Sequence, residues 1–110
     1  KRDTEPGKGK WSYPAGYVEM GETVASAARR ETREEIKTRV KVGGLVGVYS
    51  YKNSGIVTVV FEGKVLKGER PRPGDEAAQV REFEPGEIPW SRLAFKSTVQ
   101  ALIDWLECQP

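Results

Sequence analysis

The chain has 110 residues, of which 37% are hydrophobic and 31% are charged, and its formal net charge at pH 7 is +2. A chain of this length and balance can bury one small core, so a disordered protein and a two-domain protein are both excluded. Its apolar runs are all far shorter than the ~20 residues that span a bilayer, and the small net charge does not favour nucleic acid, so we expect neither membrane nor nucleic acid as a partner.

Metal chemistry in this chain has to rest on oxygen ligands. Histidine is absent, and the single cysteine, Cys108, cannot form an internal disulfide. The ligands of most protein zinc sites are therefore lacking, whereas carboxylates favour hard cations such as magnesium, calcium or manganese. Residues 1–10 have no apolar stretch of the kind that a secretory signal requires, so we expect a cytoplasmic protein.

The N-terminal segment is predicted to form loops around one short strand. Residues 3–10 contain one proline and two glycines, which predict a loop. Trp11–Tyr13 could form a short strand, which Pro14 would end. Gly16 and Gly21 then bracket a predicted tight turn.

A helix and a hairpin are predicted next. From Thr23 to about Lys37 the chain is rich in Ala, Arg and Glu, and Thr23 is a suitable N-cap, so this segment predicts a helix. Two strands are predicted at Val40–Tyr51 and Ile56–Leu66. The segment Asn53–Gly55 between them has the composition of a hairpin turn, so we expect the two strands to pair antiparallel.

The C-terminal part is predicted to contain a loop, a strand and a helix. Lys67–Asp75 has two prolines, two glycines and several charges, which predict a long mobile loop. Ala78–Phe83 is predicted as a further strand. Apolar residues recur at helical spacing from about Ala94 to Glu107, which predicts a helix packed on the core. Elements in this order predict an α+β fold in which helices cover a mixed sheet.

The charges of the first predicted helix are sorted by sign. Seven of the nine residues of Arg29–Lys37 are charged, and the ordinary interpretation is a solvated helix with ion pairs four residues apart. At about 100° per residue, however, three carboxylates share one sector, and Arg29 and Arg33 lie in the opposite one. These carboxylates belong to Glu31, Glu34 and Glu35.

This sorting predicts a divalent-cation site on the helix. Glu35 lies at the border of the face that should pack on the sheet, so we expect it to be partly desolvated. Like charges crowded in such a place have raised pKa values unless a cation or a proton compensates them. Carboxylates one turn apart can bind a hard dication, whose coordination water and a substrate phosphate would complete.

The spacing from Gly16 to Lys37 resembles the Nudix box. The box consists of Gly, five residues, Glu, seven residues, Arg-Glu, an aliphatic position, any residue, Glu-Glu, any residue and Gly. The matching positions are Gly16, Glu22, Arg30, Glu31, Glu34 and Glu35. Thr32 stands at the aliphatic position and Lys37 at the last glycine. Neither departure affects a metal ligand.

The resemblance extends over nearly the whole chain. Trp11–Glu19 is similar to the family's approach segment, and Pro73–Glu76 with the segments that follow is similar to a subgroup containing FAD, ADP-ribose and NADH pyrophosphatases. It implies a single Nudix hydrolase domain over residues 1–110, with a Nudix-type α/β/α sandwich. Family members normally have about one or two strands before the position of Lys1, so we expect this domain to lack its N-terminal strands.

The resemblance also implies a mechanism. The box glutamates and the carbonyl of its first glycine would bind Mg²⁺ or Mn²⁺, which would bridge a diphosphate and activate a water for attack on phosphorus. The metal ligands would be Gly16, Glu31, Glu34 and Glu35. Either Glu31 or Glu76 would accept the proton, and an ordinary exposed glutamate is an equally good interpretation of Glu76.

Other residues are assigned to structure and to substrate. Glu22 and Arg30 would form an ion pair that fixes the turn and the helix, with Arg30 pointing away from the metals and acting on catalysis through geometry. The candidate substrate contacts are Arg2, Trp11, Tyr49, Tyr51 and Phe95. The aromatic ones could stack on a base or a flavin, but aromatic residues on strands usually belong to the core, and this alternative stays open.

The function that the resemblance implies is metal-dependent hydrolysis of a diphosphate linkage in a small nucleotide of the ADP-ribose, FAD or NADH type. Two alternatives stay open: a Nudix enzyme that removes unwanted nucleoside triphosphates, and a Nudix module that binds a nucleotide without cutting it. A homodimer is also left open.

Overall fold

The computed structural model describes residues 1–109, which form two α-helices, a two-stranded sheet and two short 3-10 helices. The elements in chain order are α1 Val24–Ile36, β1 Val40–Ser50, β2 Val57–Val65, the 3-10 helices Pro85–Glu87 and Trp90–Arg92, and α2 Lys96–Glu107. This order confirms the predicted α+β class. None of the helices in this part of the chain is long and apolar enough to cross a membrane.

Helix α1 confirms the helix predicted from Thr23 to about Lys37. Thr23 is its N-cap: the Ser26 backbone N–H donates to the Thr23 hydroxyl at 3.1 Å, and the Thr23 backbone N–H donates to the Ser26 hydroxyl at 2.9 Å. This reciprocal pair satisfies two N–H groups that a helix start leaves free. At the other end, Lys37 adopts φ 52° and ψ 40°, a left-handed conformation that favours glycine.

The predicted hairpin is also confirmed. Strand β1 pairs antiparallel with β2, from Val40 opposite Val65 to Ser50 opposite Val57, with irregular register between Val42 and Gly47. Helix α2 packs against this hairpin through two side-chain hydrogen bonds. The Tyr49 hydroxyl donates to Asp104 at 2.7 Å, and the Trp105 indole N–H donates to Glu62 at 2.7 Å.

The strand predicted at Ala78–Phe83 is wrong. The described chain has no strand there, and the nearest sheet-like contact is an isolated antiparallel bridge between Arg2 and Ala77. A strand needs a neighbouring strand with free N–H and C=O groups. Ala78 instead finds the N-terminal segment, where its N–H donates to the Lys1 carbonyl at 2.8 Å.

The short strand predicted at Trp11–Tyr13 is reduced to one parallel bridge between Trp11 and Leu93. The Trp11 N–H donates to the Arg92 carbonyl at 2.9 Å, and the Ala94 N–H donates to the Trp11 carbonyl at 2.8 Å. The predicted mixed sheet is therefore not formed by residues 1–109: their sheet is the antiparallel pair β1–β2, and the parallel contact is a single bridge. Only the hairpin forms a continuous ladder.

A wide cleft separates α1, the hairpin and α2. Its volume is about 1900 Å³, and among residues 1–109 the buried apolar residues that line it are Ala27 and Ala101. The accessible surface is 7915 Å², compared with about 6,100 Å² for a compact monomer of this mass. Glu31, on the acidic edge of α1, lines this space.

Candidate functional site

The turn before α1 folds back onto the acidic edge of the helix. The Ala15 N–H donates to the Glu35 carboxylate at 2.9 Å. Gly16 lies directly against Glu31, and a Cβ atom at Gly16 would overlap the carboxylate carbon of that side chain. Only glycine at this position leaves Glu31 its place, so the turn and the helix fix each other.

Arg30 is the centre of an ion-pair network. Its Nε and Nη2 atoms donate to the two oxygens of Glu22 at 2.8 and 3.0 Å, and Nη2 also donates to the Tyr17 carbonyl at 2.9 Å. The expected Glu22–Arg30 pair is therefore confirmed. It holds the turn of residues 17–22 on the helix, and both Glu22 oxygens are satisfied by one guanidinium.

Arg30 was expected to point away from the metals, but its guanidinium lies against two of the proposed metal ligands. Its Nη1 atom donates to Glu31 at 2.7 Å and to Glu34 at 3.3 Å. The angular sorting places Cβ atoms around the helix axis, whereas the long arginine stem carries the guanidinium into the neighbouring sector. The carboxylates of Glu31 and Glu34 thus share a cation supplied by their own helix.

Glu35 differs from the other two carboxylates. Burial raises its pKa to about 7, and the nearby charges of Glu31 and Glu76 act in the same direction. The hydrogen bond from the Ala15 N–H and the charge of Arg2 lower it in part. The expected desolvation of this residue is therefore confirmed. No Lys or Arg among residues 1–109 forms a salt bridge with Glu35.

The chemistry of these ligands fits a hard divalent cation, but their present positions do not yet converge. Within residues 1–109 no three acidic or cysteine side chains gather closely enough to hold a metal ion. Glu31 and Glu34 face Arg30, and Glu35 faces Ala15. Glu31, Glu34 and Glu35 could hold the cation together once Glu31 and Glu34 turn away from the guanidinium, and Gly16 lies against Glu31.

Glu76 is exposed and lies near this cluster without a hydrogen bond to it among the described residues. Its charge is close enough to Glu35 to raise the pKa of that carboxyl, and its side chain lines the cleft together with Glu31. The segment around Glu76 is hydrogen-bonded on both sides: the Gly74 N–H donates to the Glu35 carbonyl at 2.8 Å, and the Asp3 N–H donates to the Glu76 carbonyl at 3.2 Å. The last residues of the predicted mobile loop are therefore tied down.

Of the candidate substrate contacts, Arg2 and Phe95 lie together in the cleft. The Arg2 guanidinium stands 5.1 Å from the centre of the Phe95 ring, and both side chains line the same space as Glu31 and Glu76. Tyr51 also lines the cleft. A flat cation on an aromatic ring offers a surface for a base and a positive charge for a phosphate.

Trp11 and Tyr49 make their contacts outside the cleft. Trp11 packs edge-on against Phe83 with ring centres 5.0 Å apart, and Tyr49 is buried with its hydroxyl on Asp104. Neither residue lines the cleft. Their surroundings favour the core interpretation that the sequence left open.

Two residues at the site were missed by the sequence prediction. The Tyr17 side chain is 74% exposed at the rim of the cleft, and its aromatic character inside a glycine-bracketed turn was the available signal. Gly74 is buried against the C-terminal end of α1. The pair Pro73-Gly74 indicated a turn, but nothing local indicated what that turn would contact.

Three comparisons bear on this arrangement. A family model described as NUDIX domain matches residues 1–106. The sequence is 38% identical over 99 residues to the ADP-ribose pyrophosphatase of Methanocaldococcus jannaschii, covering 86% of this chain and 57% of that protein. It is 32% identical over 91 residues to the oxidized purine nucleoside triphosphate hydrolase of Danio rerio, covering 79% and 57%.

The chain is also similar to a solved structure. The crystal structure of a NUDIX hydrolase from Nitrosomonas europaea superposes with a TM-score of 0.89 at 37% sequence identity, covering 100% of this chain and 64% of that one. The chain spans a little over half the length of the two curated relatives.

Proposed function

The chain belongs to the Nudix family and has its fold, and from this premise we propose that it hydrolyses a diphosphate linkage in a small nucleotide with the help of Mg²⁺ or Mn²⁺. One observation carries the proposal: three glutamates on one edge of α1 form an oxygen-only ligand set, and the glycine turn before the helix packs on two of them, Glu31 and Glu35. The cluster consists of Glu31, Glu34 and Glu35.

The protein's own residues prepare the site for the cation. Gly16 leaves room for Glu31, and the Ala15 N–H orients Glu35. Arg30 balances the charge of Glu31 and Glu34, a role that a bound cation would take over. When bound, Mg²⁺ or Mn²⁺ would supply a Lewis acid for the phosphoryl oxygens and would lower the pKa of its water.

The proton of the attacking water goes to a carboxylate in the cleft. Glu76 and Glu31 both line that space, and Glu76 is the candidate that we favour because Glu31 serves as a metal ligand. Glu22 stays a structural partner of Arg30 and acts through the position of the turn.

The proposed substrate class is a dinucleotide-like diphosphate such as ADP-ribose, FAD or NADH. The Arg2–Phe95 pair in the cleft and the similarity to the ADP-ribose pyrophosphatase support this choice. A second candidate is a nucleoside triphosphate, which the similarity to the triphosphate hydrolase of Danio rerio supports.

Turnover measurements test the reaction and the substrate together. We expect the protein to hydrolyse ADP-ribose, FAD or NADH in Mg²⁺ or Mn²⁺ and not in EDTA, and Glu35→Gln to lower kcat/KM by about a thousandfold because one ligand is lost. Glu84→Gln, at an exposed glutamate away from the cleft, is the matched control and should leave turnover unchanged.

Three outcomes would contradict parts of the proposal. Equal turnover by the wild type and Glu35→Gln would remove the metal site. A clear preference for deoxynucleoside triphosphates would replace the substrate class by the second candidate. Binding of ADP-ribose without hydrolysis under any of these conditions would make the protein a nucleotide-binding module.

A further inference from the structure

The loop that leads to Glu76 contacts the end of α1 through its backbone. The Arg72 N–H donates to the Ile36 carbonyl at 2.9 Å, and the Gly74 N–H donates to the Glu35 carbonyl at 2.8 Å. The last carbonyls of a helix have no partner within the helix. A segment about forty residues later in the chain therefore satisfies the C-terminal end of the helix that carries the acidic cluster.

Gly74 has no room for a side chain at this contact. A Cβ atom there would overlap the Glu34 carbonyl oxygen and would lie 3.1 Å from the Glu35 carbonyl oxygen. Both neighbours are backbone atoms inside a helix, so they cannot turn away as the end of a flexible side chain could. The backbone of Gly74 is not left-handed, so glycine is required here by space and not by conformation.

A second contact holds the same segment from the other side. The Asp3 N–H donates to the Glu76 carbonyl at 3.2 Å, and Ala77 forms the isolated bridge to Arg2. One residue, Asp75, separates Gly74 from Glu76. Because the link is so short, a displacement at Gly74 has to change the backbone at Asp75 and Glu76 or break the hydrogen bond between Asp3 and Glu76. Either change moves the Glu76 side chain.

We propose that Gly74 is a positioning residue: the direct contact of its backbone with the last turn of α1 sets the distance between the Glu76 carboxylate and the acidic cluster. The inference rests on the proposed function and extends it to a residue that carries no chemistry itself. A Cβ at Gly74 would push the segment outward by about 1 Å, and a misplacement of that size can cost about a hundredfold in rate.

A double-mutant cycle tests this role. We expect Gly74→Ala to lower kcat about ten- to a hundredfold and to change KM by less than about threefold, because the substrate contacts in the cleft remain. In a Glu76→Gln background the same substitution should lower kcat by less than about threefold, because no carboxylate is left to misplace. Gly86→Ala is the matched control, since a Cβ at Gly86 meets nothing within 4 Å.

A second variant keeps the helix contact intact. Insertion of one glycine between Gly74 and Asp75 lengthens the link to Glu76 without adding an atom at α1. We expect a loss of kcat similar to that of Gly74→Ala, and again little loss in the Glu76→Gln background. The insertion gives the answer if Gly74→Ala does not fold, and thermal unfolding of each variant shows whether the fold is kept.

Several outcomes would overturn the inference. Equal losses of kcat in the two backgrounds would mean that Gly74 acts on α1 or on the fold and not through Glu76. Wild-type kcat in Gly74→Ala, or in Glu76→Gln alone, would do the same. A wild-type protein that hydrolyses none of the nucleotides would instead show that the proposed function itself has failed.

Discussion

The free backbone groups at the two ends of α1 find their hydrogen-bond partners in different ways. At the N-terminal end, Thr23 and Ser26 exchange hydrogen bonds three residues apart. At the C-terminal end, Arg72 and Gly74 donate to the Ile36 and Glu35 carbonyls from a distant segment. The groups at the first end bond to neighbours in the sequence, whereas those at the second end bond to a segment that only folding brings to the helix. The distant segment also places Glu76 near the acidic cluster, so the end of the helix that carries the proposed site depends on tertiary contacts.

Among the predictions that test this comparison, the largest effect is expected where Gly16 in the turn contacts Glu31 on the helix. Gly16→Ala should lower kcat/KM for the preferred nucleotide by about a hundredfold, because the new Cβ takes the place of the Glu31 carboxylate. Gly55→Ala in the hairpin loop is the control, since a Cβ there meets nothing within 4 Å. Full activity of Gly16→Ala in a steady-state assay would show that the close approach is not needed for catalysis.

The next effect is a pH dependence of stability in EDTA. Burial raises the pKa of Glu35 to about 7 from an ordinary value of 4.5, so between these values the folded state binds more protons than the unfolded state. The free energy of unfolding should therefore fall as pH rises from 4.5 to 7. Urea unfolding at pH 5 and pH 8 measures it, and Glu35→Gln should have a smaller difference. An unchanged difference in that variant would assign the slope to another group.

A smaller effect is expected at the locally closed end of the helix. Thr23→Ala removes the hydroxyl that accepts from the Ser26 N–H and should lower the free energy of unfolding by about 1 kcal/mol. Because this end does not position the acidic cluster, kcat should stay within about twofold of the wild-type value. A loss of kcat well beyond that range, with little change in stability, would erase the contrast between the two ends.

The smallest effect is a gain in stability at the other end. Lys37 is left-handed with φ 52°, and a residue with a Cβ is strained in that conformation. Lys37→Gly should therefore raise the free energy of unfolding by about 0.5 to 1 kcal/mol. Thermal unfolding measures the change, with Lys52→Gly in the exposed hairpin loop as the control. A lower Tm for Lys37→Gly would mean that its side chain stabilises the helix end.

Much of the fold followed from local patterns. Helix α1 was predicted from its cap and composition, β1 and β2 from β-rich runs around Asn53–Gly55, and α2 from apolar spacing, and all four are present. The strand at Ala78–Phe83 was wrong because a strand exists only beside another strand, and which segments meet is not written in their composition. Trp11 and Tyr49 were named as candidate substrate contacts because the sequence does not show whether an aromatic side chain packs in the core or faces a cleft.

By itself the sequence determined the composition of the site: acidic residues sorted along one edge of a helix, a glycine turn before it, and an oxygen-only ligand set that suits a hard cation. The tertiary structure decided the rest. In the folded chain the Arg30 guanidinium contacts Glu31, and Glu35 is partly buried. The Gly74 N–H binds the end of α1, which places Glu76 near the cluster. Periodicity fixes the direction in which a Cβ leaves the helix, whereas the place of a charged group at the end of a long side chain, or on a distant loop, is set by contacts that form only when the chain is folded.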